Sequence, residues 1–269
     1  MIVLTRRPAT WVLLALWMAL SSIFGYGWNY VAYLGNANDP QNPLYKMLPD
    51  YLVANRLLGY PFFGGVIALI LGVLIFGSEY GWGTPKTLFT LGPSRLHMLG
   101  AKAAGLAVVL LVFVIGSFAI GALWSTLIAL NEGASLGWPS AWLLIRGLGA
   151  AWLIMGVWGG LGLLLGVVTR GTSMAIGFGL LYGLVIEGLL SAVADSVNWL
   201  QPLLDVFLRA NGYSLLRPLG LDVDEVSGAG PGAYSGPYAD WLQALAVLCV
   251  YAACFLLISG LLVQRRDVS

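Results

Sequence analysis

The sequence predicts an all-α membrane protein that crosses the bilayer six times. Of the 269 residues, 59% are hydrophobic and only 9% are charged, and the mean hydropathy of +0.86 lies well above that of soluble domains. Apolar runs of about 20 residues recur, which is the length that a helix needs to cross roughly 30 Å of hydrocarbon. These runs are continuous rather than alternating, so a transmembrane β-barrel is excluded.

The spans are predicted to form a single transmembrane domain, residues 1–269. Their predicted limits are 11–34, 57–77, 103–130, 141–168, 173–194 and 241–263. Arg6 and Arg7 precede the first apolar run, as in a signal peptide, but aromatic residues follow that run where a cleavage site needs small ones. We therefore expect the first span to stay uncleaved.

Basic residues in the loops predict the orientation. With a cytoplasmic N-terminus, the cytoplasmic side carries Arg6, Arg7, Lys86, Arg95, Lys102, Arg170, Arg265 and Arg266. The outer side then carries the smaller group of Lys46, Arg56, Arg146, Arg209 and Arg217. The positive-inside rule therefore places both termini in the cytoplasm.

Two long segments on the outer side are partly apolar. Residues 44–58 form an amphipathic stretch that could lie along the membrane interface. Residues 195–240 begin with a part that is too apolar for a free loop and too short to span, so we expect re-entrant or interfacial helices before the sixth span. Residues 222–237 are rich in Gly and Ser and are predicted to form a surface loop.

The polar interruption at 78–102 separates the second and third predicted spans. Charged residues are concentrated in it, namely Glu79, Lys86, Arg95 and Lys102. Its Thr and Leu residues recur at helical spacing, with Pro85 placed to begin a helix and Gly92-Pro93 placed to end one. A short amphipathic helix between two spans is suited to bind a soluble partner, whereas a plain solvated loop is the simpler alternative.

The same segment resembles the signature of ABC transporter type 2 permeases. The residues that carry the resemblance are Glu79-x-x-x-Gly83-Thr84, Lys86-Thr87-Leu88, Pro93-Ser94-Arg95 and Lys102. The approach at 63–77, the loop at 169–175 and the half-apolar segment before the last span are also similar to that family. The resemblance implies the six-span membrane subunit of an ATP-driven exporter in a prokaryotic inner membrane, paired with a second copy or a sibling subunit.

The resemblance also implies that the segment contains a coupling helix that binds a separate ATPase subunit. The implied docking residues are Glu79, Gly83, Thr84, Lys86, Thr87, Leu88, Phe89, Ser94 and Arg95. Lys86 and Arg95 could pair with acidic groups of the ATPase, while Leu88 and Phe89 offer an apolar contact. ATP and Mg²⁺ are then expected on the partner, with an amphipathic or hydrophobic cargo.

The chain carries no recognisable motif for chemistry of its own. It has no Gly-x-x-x-x-Gly-Lys-Ser/Thr loop, no Gly-x-Ser-x-Gly elbow and no His-Glu-x-x-His helix. His97 is the single histidine, and Cys249 and Cys254 lie in one apolar run. We therefore expect no enzymatic activity, no cofactor and no metal on this chain, and a net charge of +1 gives no field for nucleic acid.

Four residues within predicted spans could line a gate or a substrate path: Arg146, Trp152, Trp158 and Glu187. An unpaired charge in a span costs about 2.5–3.5 kcal/mol on insertion scales, and Arg146 and Glu187 could pair between the fourth and fifth spans. The structural alternatives are an Arg146 that extends to the headgroups and tryptophans that pack between helices.

Two functions are consistent with these features. The first is the exporter subunit that the resemblance implies. The second is a non-transporting membrane scaffold that anchors a soluble partner through the same segment. A secondary transporter is disfavoured, because acidic and histidine side chains within the spans are nearly absent and Glu187 is the one candidate for a proton relay.

Overall fold

The computed structural model describes residues 8–35, 43–81, 94–193, 204–221, 234 and 238–265. Within these residues the chain is helical and contains no strand. Six helices there are long and apolar enough to cross a membrane: Pro8–Gly35, Tyr60–Gly77, Leu96–Asn131, Ala141–Thr169, Thr172–Ser191 and Trp241–Arg265. The protein is therefore an all-α, multi-pass membrane protein, as the sequence predicts.

The largest difference from the predicted spans lies at the start of the third. Its helix, Arg95–Asn131, begins at Arg95 rather than at residue 103. Ser94 causes the early start, because its hydroxyl accepts a hydrogen bond from the His97 amide at 3.4 Å and so caps the helix. The helix of the second span likewise continues to Gly81.

The second and fourth spans form the centre of the bundle. Their backbones touch at two glycines, since the Gly159 carbonyl occupies the space of a Cβ on Gly72 and the Leu69 carbonyl occupies that of a Cβ on Gly162. Small residues allow such close approach between membrane helices. The most apolar stretch of the second span is 78% buried, against 17% for the first and 22% for the fifth.

The two ends of the bundle differ in construction. At one end, Phe76, Leu99, Leu163, Val167 and Val263 form a small apolar cluster beside the ends of the second and third spans. We call this the loop end, because the segment 78–102 connects there. At the opposite end, which we call the wedge end, two short segments enter the bundle.

The first wedge consists of the short helices Pro43–Met47, Pro49–Tyr51 and Leu52–Leu57. All six residues of the last helix are buried, whereas Tyr45 and Asp50 in the two preceding turns are exposed. The second half of the amphipathic stretch 44–58 therefore enters the bundle, with its polar side chains towards the spans. Asn55 and Arg56 find their hydrogen-bond partners on the first span.

The second wedge consists of the helix Leu208–Leu216 and the turn Arg217–Leu219. All nine residues of the helix are buried, which agrees with an inserted helix before the sixth span rather than an interfacial one. It packs against the sixth span, the fourth span and the π-helical turn Tyr60–Gly64 that begins the second span. The predicted loop at 222–237 lies largely outside the described residues.

Candidate functional site

The predicted docking segment joins two spanning helices at the loop end. Its central residues lie outside the described part of the chain: Gly83, Thr84, Lys86, Thr87, Leu88 and Phe89. Glu79 lies in the last turn of the helix Gly65–Gly81, and Arg95 is the first residue of the helix Arg95–Asn131, directly after the Ser94 cap. The two described ends of the segment thus belong to membrane-spanning helices.

The connection between the fourth and fifth spans lies beside the second span. Arg170 has a left-handed backbone with φ 54° and ψ 25°, and the Thr169 hydroxyl donates to the Gly171 carbonyl at 3.0 Å. A Cβ on Gly77 would lie 3.2 Å from that carbonyl oxygen. This tight turn therefore places two spans against the helix that leads into the docking segment.

Glu187 holds the second wedge at the opposite end. Its side chain is 1% exposed, and its carboxylate accepts hydrogen bonds from the backbone amides of Leu208 at 2.8 Å and Arg209 at 3.0 Å. The residue before the wedge helix, Phe207, gives no side-chain cap. Glu187 of the fifth span therefore caps the amino terminus of this helix from outside, where a negative charge is favourable.

Arg209 adds a second contact between the same two elements. Its guanidinium is buried, donates from Nη2 to the Ser191 hydroxyl at 3.0 Å and interacts electrostatically with Glu187. Ser191 lies four residues after Glu187, so both side chains share one face of the fifth span. The fifth span and the second wedge are thus joined by complementary charges as well as by backbone hydrogen bonds.

Trp158 lies deeper in the bundle, below this contact. Its ring centroid is 6.1 Å from that of Tyr182, whose hydroxyl also interacts with Glu187. Trp158 is 2% exposed, and its Nε1 has no hydrogen-bond partner among the described residues. The structure therefore brings together two of the four predicted gate residues, Trp158 and Glu187, through Tyr182.

The other two predicted gate residues lie elsewhere. Arg146 does not pair with Glu187, because both oxygens of Glu187 bind the second wedge and Arg146 stays half-buried on the fourth span. Trp152 donates its Nε1 to the Ala107 carbonyl at 2.9 Å. It borders an apolar groove of about 200 Å³ between the third, fourth and sixth spans. Gly156 and Gly160, which have no side chains, leave space for this groove.

Arg56, one of the basic residues that predict the orientation in the membrane, is a buried charge. It is 4% exposed, donates to the carbonyl of Ser21 and to Asn55 Oδ1, each at 2.8 Å, and lies 4.5 Å from the ring centroid of Tyr26. Burial lowers the pKa of the Arg56 guanidinium, and the nearby Tyr26 hydroxyl opposes that shift. Arg56 thereby fixes the first wedge to the first span.

A sequence signal for this contact exists in retrospect. Gly25-Tyr26-Gly27 is a small-aromatic-small run inside an apolar span, and the structure places it in the π-helical turn Ile23–Gly27. A side chain on Gly25 would collide with the Arg56 guanidinium. Glycines within a span therefore marked the place where a polar side chain from elsewhere approaches the backbone.

The fold and these contacts define a multi-pass α-helical membrane protein whose wedge end is held by buried charges. The chain belongs to the family described as Protein of unknown function (DUF2705), whose model matches residues 9–269. The match extends over all six spans and both wedges. No curated protein matches the chain. In the described part of the chain, no group of three or more His, Cys, Asp or Glu residues comes together.

Proposed function

We propose that this protein is the membrane-spanning permease subunit of an ATP-driven ABC exporter. It binds a separate ATPase subunit through the segment 78–102 and moves an amphipathic or hydrophobic substrate. The observation that carries the proposal is the position of the signature-like residues between two helices, Gly65–Gly81 and Arg95–Asn131, that continue directly into the membrane. A partner bound to this segment acts on the two spans that it joins.

The packing of the second span supports a coupling role. This span leads into the docking segment and is also the most buried of the six. Its backbone touches that of the fourth span at Gly72 and Gly162. The two helices therefore cannot shift against each other through side-chain rearrangement alone. A force applied at the loop end therefore reaches the centre of the bundle as a helix movement, which is the kind of motion that transporters use.

The distribution of charge supports an apolar cargo. Among the described residues, the buried charged side chains are Arg56, Glu187 and Arg209, and all three lie at the wedge end. The middle of the bundle offers apolar surfaces, including the groove beside Trp152. A hydrophilic solute would find few partners there, whereas a molecule with alkyl or aromatic parts would be solvated well.

In the proposed transporter, the chain has a defined orientation in the membrane, a defined cellular location and a second membrane subunit. The loop end and both termini face the cytoplasm of a prokaryotic cell, across its inner membrane, and ATP with Mg²⁺ is bound by the partner rather than by this chain. A second membrane subunit, most simply a second copy, completes the transporter. The first and fifth spans have the least buried apolar stretches, so they provide surface for that contact and for lipid.

Capture of the ATPase tests the proposal. The tagged chain is co-expressed with a candidate ABC ATPase from its own genome, and purified in nanodiscs to measure bound ATPase and ATP hydrolysis. Replacement of residues 84–93 by a Gly/Ser linker leaves the Ser94 cap intact, and we expect it to reduce capture at least tenfold. Arg217→Glu, at the opposite end, is the matched control and is expected to leave capture unchanged. Failure of the intact chain to capture the ATPase or stimulate hydrolysis contradicts the proposal.

The same preparation separates the exporter from a non-transporting scaffold. The double substitution Lys86→Glu with Arg95→Glu reverses the charge on both sides of the segment. In an exporter reconstituted with its ATPase into sealed lipid vesicles, it abolishes transport of a fluorescent lipid analogue across the membrane while the chain still inserts. A scaffold shows no ATP-dependent transport in either form and loses only the membrane localisation of its partner.

A further inference from the structure

Two of the buried charges meet between the fifth span and the second wedge. A charge inside a membrane protein is costly, and it usually marks a functional element. Glu187 is 1% exposed and Arg209 is 2% exposed. Neither charge contributes to the apolar character or the length that a span needs, so insertion into the membrane does not explain their contact.

The contact has the form of a clasp between one span and one inserted helix. The carboxylate of Glu187 takes the first two amides of the wedge helix, and Ser191 accepts from the Arg209 guanidinium. Both acceptors lie on the fifth span. A shift of this one span relative to the wedge therefore breaks all three hydrogen bonds together.

The remaining contacts of the wedge helix are mainly apolar. A Cβ on Gly212 would lie 3.1 Å from Pro61 of the second span, the Tyr213 and Tyr234 ring centroids are 5.4 Å apart, and the Arg209 guanidinium lies 5.6 Å from the Phe62 ring centroid. Near the other end of the helix, the Ser214 hydroxyl accepts a hydrogen bond from the Ala239 amide at 3.0 Å. The wedge is therefore held to the fifth span by three hydrogen bonds at its first turn and to the rest of the bundle mainly by packing.

Irregular backbone flanks the wedge on both sides. The π-helical turn Leu181–Ile186 directly precedes Glu187 in the fifth span, and the π-helical turn Tyr60–Gly64 contacts the wedge from the second span. Turns of this kind disturb the regular hydrogen bonding of a helix and are frequent at functional sites. Both helices can thus bend near the wedge while the rest of each span stays regular.

The docked wedge also leaves polar atoms unsatisfied. Asn211 Oδ1 and the Tyr238 hydroxyl are buried and have no hydrogen-bond partner among the described residues. A buried polar group without a partner is unfavourable, and contact with water would satisfy it. At these two atoms, the docked position is therefore less favourable than one that is open to water.

We propose that the second wedge is a gate at the wedge end of the protein and that Glu187 is its latch. This inference rests on the proposed function, because a gate presupposes a transported substrate. The second span links the gate to the docking segment, since it begins at the turn that contacts Gly212 and ends at Gly81. Movement of the second span against the fifth span opens the clasp.

Cysteine accessibility tests the latch. Cys249 and Cys254 are first replaced by Ala, and Ala210→Cys is introduced, because Ala210 is a buried wedge residue. The purified chain in nanodiscs is treated with a charged maleimide and the labelling rate is followed by mass spectrometry. Glu187→Gln keeps the shape of the side chain but removes its charge and one acceptor, and we expect it to raise the labelling rate at least tenfold.

Glu132→Gln is the matched control. Glu132 also accepts hydrogen bonds at the wedge end, from the Tyr30 and Tyr33 hydroxyls at 2.8 Å each and from the Asn131 side-chain amide at 3.0 Å, but it does not contact the second wedge. We expect the labelling rate to stay unchanged in this variant. An equal rise in both variants, or no rise in Glu187→Gln, overturns the proposal.

Ser191→Ala provides a second test that does not depend on the stability of Glu187→Gln. It removes only the acceptor of Arg209, so we expect a smaller increase, about two- to fivefold. An unchanged rate in Ser191→Ala together with misfolded Glu187→Gln, judged by gel filtration, also overturns the latch. Labelling needs no ATPase, so a failed capture experiment disproves the exporter without altering this result.

Discussion

Buried charges at the wedge end bind backbone groups from neighbouring helices. Arg56 donates to the Ser21 carbonyl, and Glu187 accepts from the Leu208 and Arg209 amides. Backbone groups in a membrane helix normally satisfy one another. The π-helical turn Ile23–Gly27, which closely follows Ser21, and the start of the wedge helix are places where carbonyl or amide groups become available to these charges.

Gly25 provides a prediction at the residue scale. In Gly25→Ala the new Cβ would overlap the Arg56 guanidinium and lie 2.8 Å from Asn55 Oδ1. We expect the unfolding free energy to fall by about 1–3 kcal/mol, as for other overpacked sites. Gly27→Ala is the control, because its Cβ would lie 3.8 Å from the Ser22 carbonyl. Unfolding in mixed micelles with increasing SDS measures both, and equal effects would contradict the assigned contact.

Glu132 predicts a pH dependence at the same scale. Hydrogen bonds from the Tyr33 and Tyr30 hydroxyls hold the pKa of this carboxyl below its usual range. A carboxyl whose pKa is lower in the folded than in the unfolded protein stabilises the fold at pH values above its unfolded-state pKa. That contribution disappears as the pH falls through its folded-state pKa. We therefore expect wild type to be slightly more stable than Glu132→Gln at pH 7, and the difference between the two melting temperatures to shrink as the pH falls below the ordinary glutamate pKa of about 4.3. A difference that is the same at pH 7 and at pH 3 contradicts this assignment.

Each wedge contains one short helix that lies within the bundle rather than on its surface, Leu52–Leu57 in the first and Leu208–Leu216 in the second. The sequence pattern of 44–58 is amphipathic, yet the helix Leu52–Leu57 is fully buried. Its polar residues bind the first span, which removes the need for a water-facing side. The polar groups of the second wedge are likewise satisfied by a span, because Glu187 and Ser191 of the fifth span accept hydrogen bonds from the first turn of its helix.

A disulfide across the gate gives a prediction at the element scale. In a cysteine-free background, Pro61→Cys with Gly212→Cys places two thiols at positions whose Cβ atoms approach each other closely. We expect oxidation to abolish ATP-dependent transport and reduction to restore it, while ATPase capture remains intact. Each single substitution serves as a control for the loss of proline or glycine. Full transport by the oxidised double variant would show that the wedge need not separate from the second span.

The second span connects the two ends of the whole molecule. It runs from the turn Tyr60–Gly64 at the second wedge to Gly81 at the docking segment, and its regular part Gly65–Gly81 is about 26 Å long at 1.5 Å per residue. Close contact with the fourth span limits its freedom along most of this length. The docking segment and the gate are therefore mechanically connected in the proposed transporter.

This connection predicts that nucleotide on the partner changes the gate. In the complex with the ATPase, a non-hydrolysable ATP analogue is expected to change the labelling rate of Ala210→Cys at least threefold. The variant with residues 84–93 replaced by a Gly/Ser linker is expected to show no response. Labelling that is insensitive to nucleotide in a complex with active ATPase would mean that the two ends are not coupled.

The sequence by itself determined the number of spans and their approximate limits. Hydrocarbon imposes a length and a composition on every crossing helix. Both properties are local, so they can be identified without knowledge of the tertiary contacts. The early start of the third helix was also encoded locally, in the Ser94 cap, although the polar composition of 95–102 obscured it. Helical spacing likewise placed Glu187 and Ser191 on one face.

Only the tertiary structure decided which polar groups meet. Glu187 was considered as a partner of Arg146, but it binds the helix Leu208–Leu216 instead. The sequence predicts no partner for Arg56, which contacts a carbonyl of the first span, 35 residues away in the chain. A periodic pattern specifies the face of a helix but not the element that packs on it. The partner of a buried charge depends on where distant backbone groups become available, and that depends on the packing of the whole bundle.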